Sequence, residues 1–178
     1  MNLTSNMKVA MRKEHFLANR SNKQQLIVML RQKLAKCGCT TLQADGDADV
    51  LIVKTAVETS ENKNTTLVGD DTDILVLLFY LYNLSNKDLI FRPEPKANTR
   101  SREWRMKHVK TQLGEQLCRD ILFLHALLGC DTTSRVFGIG KGVVTKTYLD
   151  SKFFQDQATV FDRTGASATE VIEAGEKA

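Results

Sequence analysis

TTLVGDDTDILVLLFYLY, running from Thr65 to Tyr82, decides how the fold is read. Thr65 to Val68 is β-branched and apolar, the composition of a strand. Gly69-Asp70-Asp71 is a turn. From Asp71 the chain is apolar nearly all round to Tyr82, which marks a buried element. Its length, and the acids at its start, favour a helix over a strand. A strand that ends in acids and passes into a helix is the unit of layered α/β proteins. Those folds keep their sites at the carboxyl ends of parallel strands.

Upstream, the same order recurs. Thr40 to Gln43 is a short β-prone stretch, Asp45-Gly46-Asp47-Ala48-Asp49 follows, and a helix is expected from Asp47, with Val50, Leu51, Val53, Ala56 and Val57 apolar. An earlier helix is expected over 22–36, with Ser21 as N-cap, Gln24 as its capping-box partner and Gly38 as the stop. Residues 1–20 are polar and basic without a period. Downstream, Asp88 to Arg92 reads as a strand ended by Pro93 and Pro95, and a polar basic loop runs to Arg102. Lys107 to Leu113 predicts a short helix. Gln116 to Leu128 predicts a strong one, with Leu117, Ile121, Leu124 and Leu128 on one side and Gly129 closing it. Another is expected from Val143 to Leu149, and a last one from about residue 168. The expected fold class is α/β, a parallel sheet with flanking helices. Three or so strands make a small sheet for parallel strands buried on both faces, so further strands are expected outside this chain.

The bulk numbers suit one globular domain over 1–178: 178 residues, 42% hydrophobic and 26% charged. The longest apolar run, Ile74 to Tyr82, is too short to span a bilayer, and no signal-like stretch opens the chain. No membrane partner is therefore expected. Cys37, Cys39, Cys118 and Cys130 form no CxxC pair and have no His at zinc spacing, which favours a reducing, intracellular compartment. A net charge of +4 permits polyanion binding without demanding it. Lys96, Arg100, Arg102, Arg105, Lys107, His108 and Lys110 gather around Trp104, as a solvated loop and strand would also arrange them.

The acids carry the chemistry. Several carboxylates around two hard cations are what two-metal phosphodiester hydrolysis requires, and clustered acids repel one another without a cation. Any one of these acids alone is an ordinary cap or turn residue. Their repetition in one context favours a site. Asp45, Asp47 and Asp49 match the start of a calcium-binding EF-hand loop, but Val50 stands where that loop needs Gly and Ala56 where it needs Glu. A haloacid-dehalogenase-type phosphatase has no room for its core between the acidic stretches. Gly138-Ile139-Gly140-Lys141-Gly142 lets backbone N–H groups approach a phosphate, Lys141 adds a charge, and the helix start beyond is an anion site. A plain turn explains the glycines equally well. His125 lies on the apolar face of its helix and reads as a satisfied core histidine.

Taken in order, Gly46-Asp47-Ala48-Asp49, Asp70-Asp71-Thr72-Asp73-Ile74-Leu75, Leu127-Leu128-Gly129-Cys130-Asp131 and Gly138-Ile139-Gly140-Lys141 resemble the flap endonuclease/XPG-type 5′ nucleases of the PIN-like superfamily. The resemblance covers residues 40–150. It implies a Rossmann-like domain followed by a helix–hairpin–helix element at about 116–150, two Mg²⁺ or Mn²⁺ ions, and cleavage of branched or flapped DNA. By resemblance, Asp47, Asp49, Asp71, Asp73 and Asp131 are metal ligands, with Asp71 and Asp73 catalytic. Gly138, Gly140, Lys141 and Gly142 grip the duplex backbone, with a bound K⁺. A DNA substrate makes a nuclear location the expectation. Two departures stand out. Asp47 and Asp49 replace the family's paired Glu, and no Asp precedes Asp45, so the first-strand carboxylate is expected to be missing and the chain to be a fragment or a degenerate copy. The alternative expectation is a non-catalytic nucleic-acid-binding or interaction module that keeps the fold.

Overall fold

The computed structural model describes residues 4, 6–8, 10–94, 102–130, 133–134 and 140–178, without the side chain of Lys141. The chain divides into two compact units, Met1–Gly46 and Asp47–Ala178.

The first unit pairs α1 (Lys13–Ala18) with α2 (Arg20–Lys36). Asn19, not Ser21, caps α2: its side-chain oxygen accepts from the Ser21 and Asn22 amides. The helix therefore starts two residues before the expected 22. Gly38, at φ 79°, ends it as expected, while the amides of Gly38 and Cys39 return to the carbonyls of Ala35 and Leu34. Thr40 to Gln43 does not form the expected strand. The Arg31 guanidinium bonds Thr41 and Gln43 (3.0 Å to the latter) and ties this stretch to α2 through side chains instead. No residue of α2 is buried, and Leu30 and Leu34 are exposed.

The second unit is mixed α/β and mostly helical. It runs α3 (Asp49–Asn62), β1 (Thr65–Val68), α4 (Thr72–Leu81), β2 (Leu89–Arg92), β3 (Trp104–Arg105), α5 (Met106–Leu113), α6 (Glu115–Leu127), α7 (Lys141–Asp150), α8 (Lys152–Asp162) and α9 (Ala168–Lys177). The strands form one sheet in the order β1-β2-β3. β1 and β2 are parallel, with Thr65 opposite Leu89, as the strand–acid–helix pattern implies. β3 was not expected. It runs antiparallel to β2, with Phe91 opposite Trp104, so the sheet is mixed rather than parallel. An antiparallel neighbour needs no crossover helix, and the chain returns from β2 to β3 without a described helix between them.

Two cores hold this unit. Val53, Leu67, Ile74, Leu78, Leu89, Phe91 and Met106 belong to the first, with Trp104 packed against it. The last turn of α3 is pinned to the turn before β2. Ser60, fully buried, donates to the Val57 carbonyl (2.6 Å) and accepts from Asn86 (3.0 Å), and its own carbonyl accepts from the Lys87 amide (2.7 Å). Phe123, Leu124, Val144, Tyr148, Phe154 and Ala158 form the second core between α6, α7 and α8. Asp120 is buried beside it. Its Oδ2 accepts from the Tyr148 hydroxyl (2.6 Å) and from Gln116 (2.7 Å), and its Oδ1 has no partner among the described residues. Burial and the Asp120 carboxylate push the Tyr148 hydroxyl well above the ordinary tyrosine range. No helix among the described residues is long and apolar enough to cross a membrane.

Candidate functional site

Asp71 is the N-cap of α4: its Oδ1 accepts from the Asp73 amide at 2.9 Å. The apolar helix therefore starts on a carboxylate that satisfies one of its unpaired amides. Asp70 turns the other way, and its Oδ1 accepts from the Glu94 amide at 3.0 Å, just past the end of β2. Asp73 stands in the first turn of α4, and its Oδ1 lies 2.9 Å from Nε2 of His125 on α6. The carboxyl end of β1 thus collects three acids whose side chains take three directions.

Asp47 and Asp49 enter with α3. The Asp47 side chain accepts from the Asp49 amide at 3.4 Å, and Asp49 is the first residue of the helix. Since the C-terminal turn of α3 is fixed at the amino end of the strands, its N-terminus is directed towards their carboxyl end. Only one of the two expected strand–acid–helix units is formed, because the stretch before Asp45 is not a strand.

His125 was expected as a satisfied core histidine. Its partner is Asp73, 52 positions earlier in sequence, and its side chain is 18% exposed against 32% for Asp73. Both ends of the pair are open to solvent. Beyond His125 the chain leaves α6 through Gly129, at φ 83°. Thr133 returns to the helix end, its hydroxyl donating to the Ala126 carbonyl at 2.7 Å. Asp131 lies outside the described residues.

The glycine motif is described in part. Gly138 lies outside the described residues. Gly140 is the N-cap of α7, Lys141 its first residue and Gly142 its second, so the helix begins two residues before the expected Val143. The Gly140 carbonyl accepts from the amides of Val143 (3.0 Å) and Val144 (3.3 Å), and a side chain at Gly140 or Gly142 would meet open space. α6 and α7 flank the motif, as a helix–hairpin–helix element requires.

The basic stretch around Trp104 is partly spent on the fold. Arg105 lies 3.9 Å from Asp88, and Lys110 donates to the Tyr82 carbonyl, where burial pulls its ammonium below the usual lysine range. Arg102, Lys107 and His108 are exposed. Lys96 and Arg100 lie outside the described residues.

Carboxylate oxygens are the right donors for Mg²⁺ or Mn²⁺. Among the described residues, no three His, Cys, Asp or Glu side chains gather closely enough to hold a metal ion. Asp71 and Asp73 supply a neighbouring pair. Comparison of the chain with protein-family models, curated proteins and solved structures finds no match.

Proposed function

We propose that the Asp47–Ala178 unit is a PIN-like, flap-endonuclease-type domain that binds nucleic acid and hydrolyses phosphodiester bonds of DNA with divalent cations. The observation that carries this reading is the junction of β1 and α4. There Asp71 and Asp73 stand at the carboxyl end of a parallel strand and at the positive end of an apolar helix. The α3 terminus with Asp47 and Asp49 is directed to the same end. Asp71 and Asp73 would hold the cation together with Asp47, Asp49 and Asp131. A bound pair of such ions supplies a nucleophilic hydroxide and steadies the leaving oxygen. The exposed glycine start of α7, with Lys141, suits a phosphate backbone. The test is cleavage of labelled flapped DNA by the full chain with Mg²⁺ or Mn²⁺. Activity should vanish in Asp71→Ala and Asp73→Ala, and cleavage that persists in both variants would sink the proposal.

A second reading has its own observation. Asp70, Asp71 and Asp73 each spend an oxygen inside the protein, and the described acids form no three-ligand group. A module that binds nucleic acid without cutting it would tolerate this. It predicts DNA binding that weakens steeply with salt and with Lys141→Ala, without turnover.

A further inference from the structure

We infer that His125 is a positioning residue for Asp73, holding that carboxylate in the orientation in which it receives a divalent cation. The inference rests on the cation-binding reading above. An aspartate in the first turn of a helix has several staggered side-chain orientations open to it. Here one is selected from outside the helix. Nε2 of His125 takes Oδ1 of Asp73 at 2.9 Å and leaves Oδ2 for another partner. A carboxylate that ligates a metal is itself commonly hydrogen-bonded, and that outer partner fixes its geometry.

A purely structural role explains the pair less well. α6 already packs Ile121 against the first core, to which α4 contributes Ile74, Leu78 and Phe79. The helices are joined without the pair. A partly exposed ion pair adds only about 0–1 kcal/mol to stability. The position of His125 is also informative. It sits in the last turn of the helix that leads, through Gly129, to Asp131. One helix therefore holds the α4 acid and starts the segment carrying the last acid of the motif. Since both side chains are partly exposed, the pair is within reach of ions from solution.

The experiment is a calorimetric titration of Mn²⁺ into the full chain, with thermal unfolding followed in parallel. The variants are His125→Ala, His125→Gln, Asp71→Asn and Asp73→Asn. His125→Ala should weaken Mn²⁺ binding roughly 10–100-fold, with the melting temperature little changed. His125→Gln keeps an N–H donor at similar reach and should recover most of the affinity. Mn²⁺ binding that is unchanged or tighter in His125→Ala overturns the inference alone. A loss of affinity that follows only a loss of folding, with no recovery in His125→Gln, also overturns it. Absence of Mn²⁺ binding in the unaltered chain removes the cation reading and this inference together.

Discussion

Asp120 sets burial against charge. It is 1% exposed, and both of its printed donors converge on Oδ2. Removing the Tyr148 hydroxyl leaves that carboxylate with a single donor in a nearly dry site. Tyr148→Phe should therefore destabilise the protein by about 1–3 kcal/mol, read as a shift in the midpoint of urea unfolding. At Asp71 the cap is the comparable single contact, and Asp71→Ala should cost about 1 kcal/mol of stability, besides any effect on cation binding. The sequence shows these residues unequally. Asp71 is conspicuous because it stands between a strand and an apolar helix. Asp120 and His125 are inconspicuous because each sits at ordinary helical spacing in α6, and their partners lie 28 and 52 positions away. A pairing of that kind exists only after α6 has packed against α4 and α7.

Among the elements, α9 has the clearest titration. The Ser167 amide and hydroxyl, and then the Arg163 guanidinium, hold the Glu170 carboxyl down to about 2 from its ordinary 4.5. Ser167 accepts in return from the Glu170 amide, closing a capping box. A carboxylate whose folded-state pKa is depressed contributes stability above its unfolded value and loses that contribution as pH falls through its folded value. α9 should therefore loosen as pH falls from about 4.5 towards 2, and Glu170→Gln should flatten that dependence. Amide shifts of residues 168–177 across this range provide the measurement. The sequence places α9, α4 and β1 well, since cap residues, an unbroken apolar run and β-branched composition are local signals. It misses β3, which has two residues and owes its existence to β2. It assigns a strand to Thr40 to Gln43 because β-prone composition does not supply a neighbour to pair with.

At the scale of the molecule, the two units are unequal. Asp47–Ala178 contains both core clusters, whereas the described part of Met1–Gly46 contributes one buried large side chain, Phe16. A polypeptide of residues 47–178 should fold, with the amide-exchange protection of α4 and β2 matching that of the full chain. In the full chain, α1 and α2 should exchange fastest, as segments with few buried apolar contacts do. Collapse of α4 protection on truncation would contradict this partition.

Trp104 is the only tryptophan of the chain, and it packs against the first core from a two-residue strand. Its emission therefore reports on one part of the protein. It follows the sheet with α3, α4 and α5, and does not register melting confined to α7 and α8. Far-ultraviolet circular dichroism sums over all helices, most of which lie outside that neighbourhood. Where the two signals trace different unfolding curves, the chain is not two-state. The gap between them then measures how independently its second half comes apart.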